Sequence, residues 1–210
     1  MSQSSSVAFF DSQFQQQVRN RDFQLNPFEL LALPYLKGRV LDYGCGLGNL
    51  AMEAARRGCP VVAFDASPAA IEHLRKRALD AALPIDAIEA DLRSHEVDGE
   101  FDCVVSIGLL MFFDCPTALR VLAMLQDRVR PGGIAAVNVL IQGTTYLDMF
   151  QPDSHCLLPR EEMAKRFAGW DILHFEFRDF EAPGQRTKSF VTLIARKPGR
   201  DSRGKTTGVY

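Results

Sequence analysis

No two cysteines in this chain are spaced C-x-x-C, which removes the usual sequence sign of a zinc knuckle or a thioredoxin-type redox site. The five Cys, at positions 45, 59, 103, 115 and 156, are odd in number and scattered, a pattern that fits free thiols in a reducing cytosol. No apolar run reaches the length of a membrane span. The N-terminus, MSQSSSVAFFDSQF, lacks a basic segment followed by a long apolar one, so it does not read as a secretory signal. Charge of one sign is not in excess either. Lys plus Arg is 24 and Asp plus Glu is 26, a net charge of −2, which gives no electrostatic reason to expect nucleic acid or an anionic membrane as partner. No internal repeat or linker divides the 210 residues, a length that suits one well-buried domain. The expectation is a cytoplasmic protein, monomer or homodimer, with no metal site.

What is present alternates. Residues 39–43 read as a buried strand, 49–57 as an Ala-rich helix stopped at Gly58, and 60–64 as a second strand. Ser67 is a good N-cap with Pro68 at the first helical position, and that helix is expected to run to about Ala81. Further strands are expected at 85–90, 101–106 and 134–140, with a helix capped by Asp114 and ended by Pro131-Gly132-Gly133 before the last of them. Strands alternating with helices predict an α/β fold, a doubly wound and mainly parallel sheet. The end departs from that rhythm: residues 171–177 and 189–195 flank a loop with Pro183-Gly184, which predicts an antiparallel hairpin. Residues 1–26 form a Ser- and Gln-rich arm carrying Phe9, Phe10, Phe14 and Phe23, residues 27–198 the domain, and residues 199–210 a loose polar tail.

The most informative stretch is Val40-Leu41-Asp42-Tyr43-Gly44-Cys45-Gly46-Leu47-Gly48-Asn49. A strand runs into a glycine-rich turn and a helix starts at once, so a ligand at the strand's carboxyl end would lie against bare backbone. A dinucleotide site favours G-x-G-x-x-G and a helix N-terminus facing pyrophosphate. Here Gly44, Gly46 and Gly48 alternate, and Asn49 stands where the last glycine would be. An acid at Asp42 ahead of so tight a turn suits an ammonium group better than pyrophosphate. A purely structural turn is the alternative. Asp65, roughly 20 residues beyond Gly44, is placed to accept hydrogen bonds from ribose hydroxyls; with Ser67 supplying the helix cap, its carboxylate is expected to be free. Asp91 would receive an adenine amino group and Leu92 would pack on the ring, or Asp91 is a solvated loop residue.

VLDYGCGLGN resembles the S-adenosylmethionine (SAM) signature of class I methyltransferases, and VVAFDASPAAI, EADL, FDCVVS and VRPGG follow in that family's order over residues 38–140. The resemblance implies a seven-stranded sheet with an antiparallel last strand, SAM as methyl donor and S-adenosylhomocysteine as product. It places Asp42, Gly44, Cys45, Gly46, Asn49, Asp65, Ala66, Asp91, Leu92, Ser106 and Ile107 at the cofactor. A narrower resemblance, to the tellurite-resistance (TehB-type) methyltransferases, rests on VVSIGLLMFF, VRPGG, FAGWDILHFEF and SFVTLIARKP. Those enzymes carry a His-Arg pair between the last strands; this chain has Phe177-Arg178-Asp179 there, and Arg186 matches a later arginine.

The acceptor side carries no catalytic constellation, as expected where a soft nucleophile needs only positioning and exclusion of water. The arm and the insertion at 142–158 are the segments placed to close over the methyl group. Three acceptor-side candidates remain, each with a bland alternative: His155 as a base or a solvated loop residue, and Arg178 and Arg186 as holders of an anion or as hairpin surface. The arm's aromatics either shield the sulfonium or merely anchor the arm. Cys45 is there for its small size. A small-molecule acceptor (thiol, chalcogen oxyanion or small metabolite) is expected, against a nicotinamide-dependent oxidoreductase or a SAM-binding protein without catalysis.

Overall fold

The computed structural model describes residues 5–20, 22–150 and 154–199, and for residues 5–12 the backbone alone. Gly199 is thus the one described residue of the polar tail, and Phe9 and Phe10 lie outside the described side chains. The elements run α1 (Ser5–Asn20), α2 (Pro27–Ala32), β1 (Val40–Tyr43), α3 (Asn49–Arg56), β2 (Val61–Asp65), α4 (Pro68–Asp80), β3 (Ile85–Glu89), β4 (Phe101–Ile107), α5 (Cys115–Arg128), β5 (Val129–Leu140), α6 (Glu162–Arg166), β6 (Asp171–Ala182) and β7 (Arg186–Arg196). They build a seven-stranded sheet in the order β3-β2-β1-β4-β5-β7-β6. Strands β1 to β5 pair in parallel, while β7 runs antiparallel to both β5 and β6. This is the doubly wound sheet with a terminal hairpin that the alternation predicts.

The strands are short apolar runs because both faces are covered. β1 is buried along its whole length. On one face Leu41, Tyr43 and Val104 pack with Val121 and Leu125 of α5 and with Met163 and Phe167 around α6. On the other, Val40, Ala63 and Val105 meet Ala51 and Ala55 of α3 and Ile71 and Leu74 of α4. The caps follow the local chemistry. Ser67 Oγ accepts the Ala70 N–H at 3.1 Å, and Asp114 Oδ1 accepts the Thr117 N–H at 2.9 Å.

Two expectations change, and the arm takes on an element of its own. Pro131-Gly132-Gly133 does not separate helix from strand: α5 ends at Arg128 and β5 begins at Val129. The Gly132 N–H donates to Lys197 O, the Lys197 N–H donates to Gly133 O, and a register shift against β4 absorbs the extra residues. The Ser- and Gln-rich arm is helical over Ser5–Asn20. The cysteines are not all free thiols: Cys115 and Cys156 form a disulfide, while Cys45, Cys59 and Cys103 are free and buried. The disulfide ties the start of α5 to the segment after β5, and with it the thiol argument for a reducing compartment falls. Among the described residues, no helix is long and apolar enough to cross a membrane.

Candidate active site

At the carboxyl ends of the strands lies a cavity of about 510 Å³, within the size range of small-molecule sites. Its floor is the glycine turn after β1. The Gly44 and Cys45 N–H groups both donate to Phe64 O, at 2.8 and 3.0 Å, which ties the turn to β2. Gly46 has φ 52°, and a Cβ there would stand 3.1 Å from the Phe14 ring. Gly48 caps α3 from the left-handed region, and its missing Cβ leaves room for Leu74, which would otherwise lie 2.5 Å away. Both positions therefore require glycine, for backbone conformation and for space.

Asp65, at the end of β2, is not the unengaged carboxylate expected from the sequence. Its Oδ2 accepts the Gly46 N–H at 2.8 Å and its Oδ1 accepts the Ser67 N–H at 2.9 Å. A charged acceptor thus holds the glycine turn from across the β1–β2 crevice. Its neighbours Ala66 and Ser67, together with Leu92 and Ile107, line the same end of the cavity.

Cys45 lines it too, and burial pushes its thiol well above the ordinary value, consistent with a packing role. Asn49 is present, with Oδ1 accepting from Arg77 Nη1 at 2.9 Å. Asp91 reaches the cavity but is paired with Arg93 at 3.0 Å, and that hydrogen bond holds its carboxyl below the usual range.

Two expected cofactor residues lie behind the cavity wall. Ser106 is fully buried, and its Oγ has no partner. Asp42 is 5% exposed. Burial, and then the nearby Glu29 and Asp65 carboxylates, push its carboxyl up to about 8.

The acceptor candidates fare differently. Arg178 pairs with Glu176 at 2.8 Å on the exposed hairpin. Arg186 grips Asp148 with two bonds, at 2.6 and 2.8 Å, and lies over the Tyr146 ring. His155 stacks on Phe150 with ring centroids 4.8 Å apart. None of the three lines the cavity; their neighbours Tyr146, Ser154 and Lys188 do. Also there, and missed from the sequence, are Asn138, Phe28, Glu29 and Phe190. The polar Asn138 inside the apolar run AAVNVL was a signal left unread. Asn26-Pro27-Phe28-Glu29 was another: it forms a capping box that starts α2 over the site. Lys188 had no signal beyond its place in the hairpin. Gln13, Phe14 and Gln17 of α1 complete the wall, whereas Phe23 stacks on His73 and lies beneath Arg77 as an anchor.

Residues 40–133 match the family model of a methyltransferase domain. The chain is 27% identical over 173 residues to Hemagglutinin 1 of Eikenella corrodens, across 77% of this chain and 55% of that protein. It is 38% identical over 107 residues to the cypemycin N-terminal methyltransferase of a Streptomyces species, across 49% of this chain and 42% of that one. The chain therefore spans about half the length of these curated relatives. The matched stretch, residues 40–133, carries the glycine turn and strands β1 to β4, so this part of the chain resembles a methyltransferase domain. The fold is similar to that of TehB from Haemophilus influenzae, with a TM-score of 0.75 at 18% identity over 86% of this chain and 65% of that one.

Proposed function

We propose that this protein transfers a methyl group from SAM to a small-molecule acceptor. The observation that carries the reading is the continuity of one cavity, from the bare glycine turn and Asp65 at one end to Tyr146, Lys188 and Phe190 at the other. The residues present fit the cofactor: the Gly44-Cys45-Gly46 turn lines the cavity, Asp65 has the charge and position for ribose hydroxyls, and Ala66, Leu92 and Ile107 offer an apolar slot for adenine. SAM, when bound, supplies an electrophilic methyl group on a sulfonium. The chain's own contribution is to bind, orient and exclude water, because such a displacement depends chiefly on approach geometry. Among the described residues the cavity wall holds no histidine, and its carboxylates are Glu29, Asp65 and Asp91; the acceptor class proposed is a thiol, a chalcogen oxyanion or a small metabolite. Calorimetry with SAM and with NAD tests the cofactor, and methyl transfer onto a thiol, selenite and small-metabolite panel tests the reaction. Binding of NAD in place of SAM would overturn the reading.

The arm is proposed as a lid, a role supported by Gln13, Phe14 and Gln17 in the cavity wall. Deleting residues 1–22 is expected to lower turnover by about tenfold while SAM affinity falls far less, since closing the site contributes most once the acceptor is in place. Equal losses in both, or undiminished turnover, would reduce the arm to an ordinary strut or tail.

A further inference from the structure

The cavity wall carries the carboxylates Glu29, Asp65 and Asp91 and two cations, Arg93, which is paired with Asp91, and Lys188. Lys188 lies on β7, three strand positions from β1 through β4 and β5, roughly 14 Å across the sheet at ~4.8 Å per strand. Its ammonium sits 4.7 Å over the Tyr146 ring, and no carboxylate among the described residues is within ion-pair distance of it. Beside it on the cavity wall are Phe190 and Phe28, their centroids 4.7 Å apart.

Between these lies Asn138, paired across the strands with Thr192. It is fully buried, and its amide nitrogen donates to Val191 O at 3.3 Å and to Thr192 Oγ1 at 2.9 Å. Because the Val191 carbonyl can only accept, the amide orientation is settled. The other end, Oδ1, has no partner, although the residue lines the cavity. A buried acceptor left unpaired is costly, and a ligand carrying a donor would relieve that cost.

We propose that the acceptor is a small aromatic acid bearing an O–H or N–H group. Its carboxylate meets Lys188, its ring lies among Phe28, Phe190 and Tyr146, and its O–H or N–H donates to Asn138 Oδ1. On transfer the new bond forms from that oxygen or nitrogen to the methyl carbon as the methyl–sulfur bond breaks. S-adenosylhomocysteine leaves as the neutral thioether, and the proton passes to solvent by way of the Glu29 carboxylate in the same wall. The proposal rests on the methyltransferase reading and narrows its acceptor. A flat ring matches the aromatic walls. The lysine, unpaired by any described carboxylate, supplies an anion contact; Arg178 and Arg186, which the sequence left as anion holders or plain hairpin surface, are both engaged by carboxylates of their own.

The test is calorimetry on the full chain saturated with S-adenosylhomocysteine, titrated with 3- and 4-hydroxybenzoate, the matching hydroxybenzyl alcohols and the methoxybenzoates. At least one hydroxybenzoate is expected to bind about tenfold or more tightly than its alcohol and than its methyl ether, the range of a bond to a charged or buried group. Lys188→Met, which keeps the stem over Tyr146, should erase the preference for acid over alcohol. Asn138→Ala should erase the preference for hydroxyl over methoxy, and both should leave S-adenosylhomocysteine affinity within about threefold. Should Asn138→Ala not fold, the comparison of hydroxyl with methoxy in the unaltered protein decides the donor contact. Alcohols binding as well as acids, or a Lys188→Met protein with the acid preference intact, would overturn the proposal while leaving the cofactor reading standing. Failure of S-adenosylhomocysteine itself to bind would overturn both.

Discussion

Replacing Gly46 by Val is expected to lower SAM affinity by at least about 100-fold, close to 3 kcal/mol. Two effects add at this position. The residue sits at φ 52°, where a β-branched side chain is strongly disfavoured. Its Cβ would also lie 3.1 Å from the Phe14 ring, so the side chain would push α1 and the turn apart and distort the floor of the cavity in which the cofactor is proposed to lie. The same position donates its N–H to Asp65, so a shifted turn also disturbs that bond. Gly58→Ala is the control. Gly58 has φ 88°, a Cβ there would meet nothing within 4 Å, and it lies outside the cavity, so this change should cost stability without touching SAM affinity. Calorimetry and a thermal melt on both variants separate the two effects. A folded Gly46→Val protein that binds SAM normally would remove the turn from the cofactor site.

Asp65→Ala is expected to weaken SAM by about 1.5–3 kcal/mol, or roughly 10- to 150-fold, the range for hydrogen bonds to a charged group. The carboxylate holds the Gly46 and Ser67 amides at 2.8 and 2.9 Å, so its removal leaves two donors to re-pair as well as removing the proposed ribose contact. Helix α4 should persist, because Ser67 Oγ still caps it through the Ala70 N–H. Asp65→Asn is expected to fall between wild type and Ala: one oxygen still accepts, while the new NH2 faces an amide donor. Calorimetry checks the order, and circular dichroism checks the helix. Wild-type affinity in Asp65→Ala would show that the carboxylate serves only the turn.

Much of this architecture was legible because the signals are local. Ser67-Pro68 and Asp114 start α4 and α5 as caps should, and Pro183-Gly184 turns the terminal hairpin. The misreadings share a different cause. Pro131-Gly132-Gly133 looks like a break, yet the partner backbone at Lys197 draws it into β5. The free-thiol reading fails for the same reason, since Cys115 meets Cys156 from 41 positions away along the chain.

By itself the sequence determined the alternation of strands and helices, the antiparallel end, and the glycine turn with an acid beyond it. Each of these rests on propensities, caps and φ requirements that act within a few residues. The tertiary structure decided which side chains share a cavity. Cys115 and Cys156 are 41 positions apart and meet because the segment after β5 returns beside the start of α5. Asp65 reaches the Gly46 amide because β1 and β2 are neighbours. Asn138 and Lys188 line one cavity because β7 inserts between β5 and β6. Such meetings depend on strand order and long-range packing, and residue spacing along the chain carries no record of them.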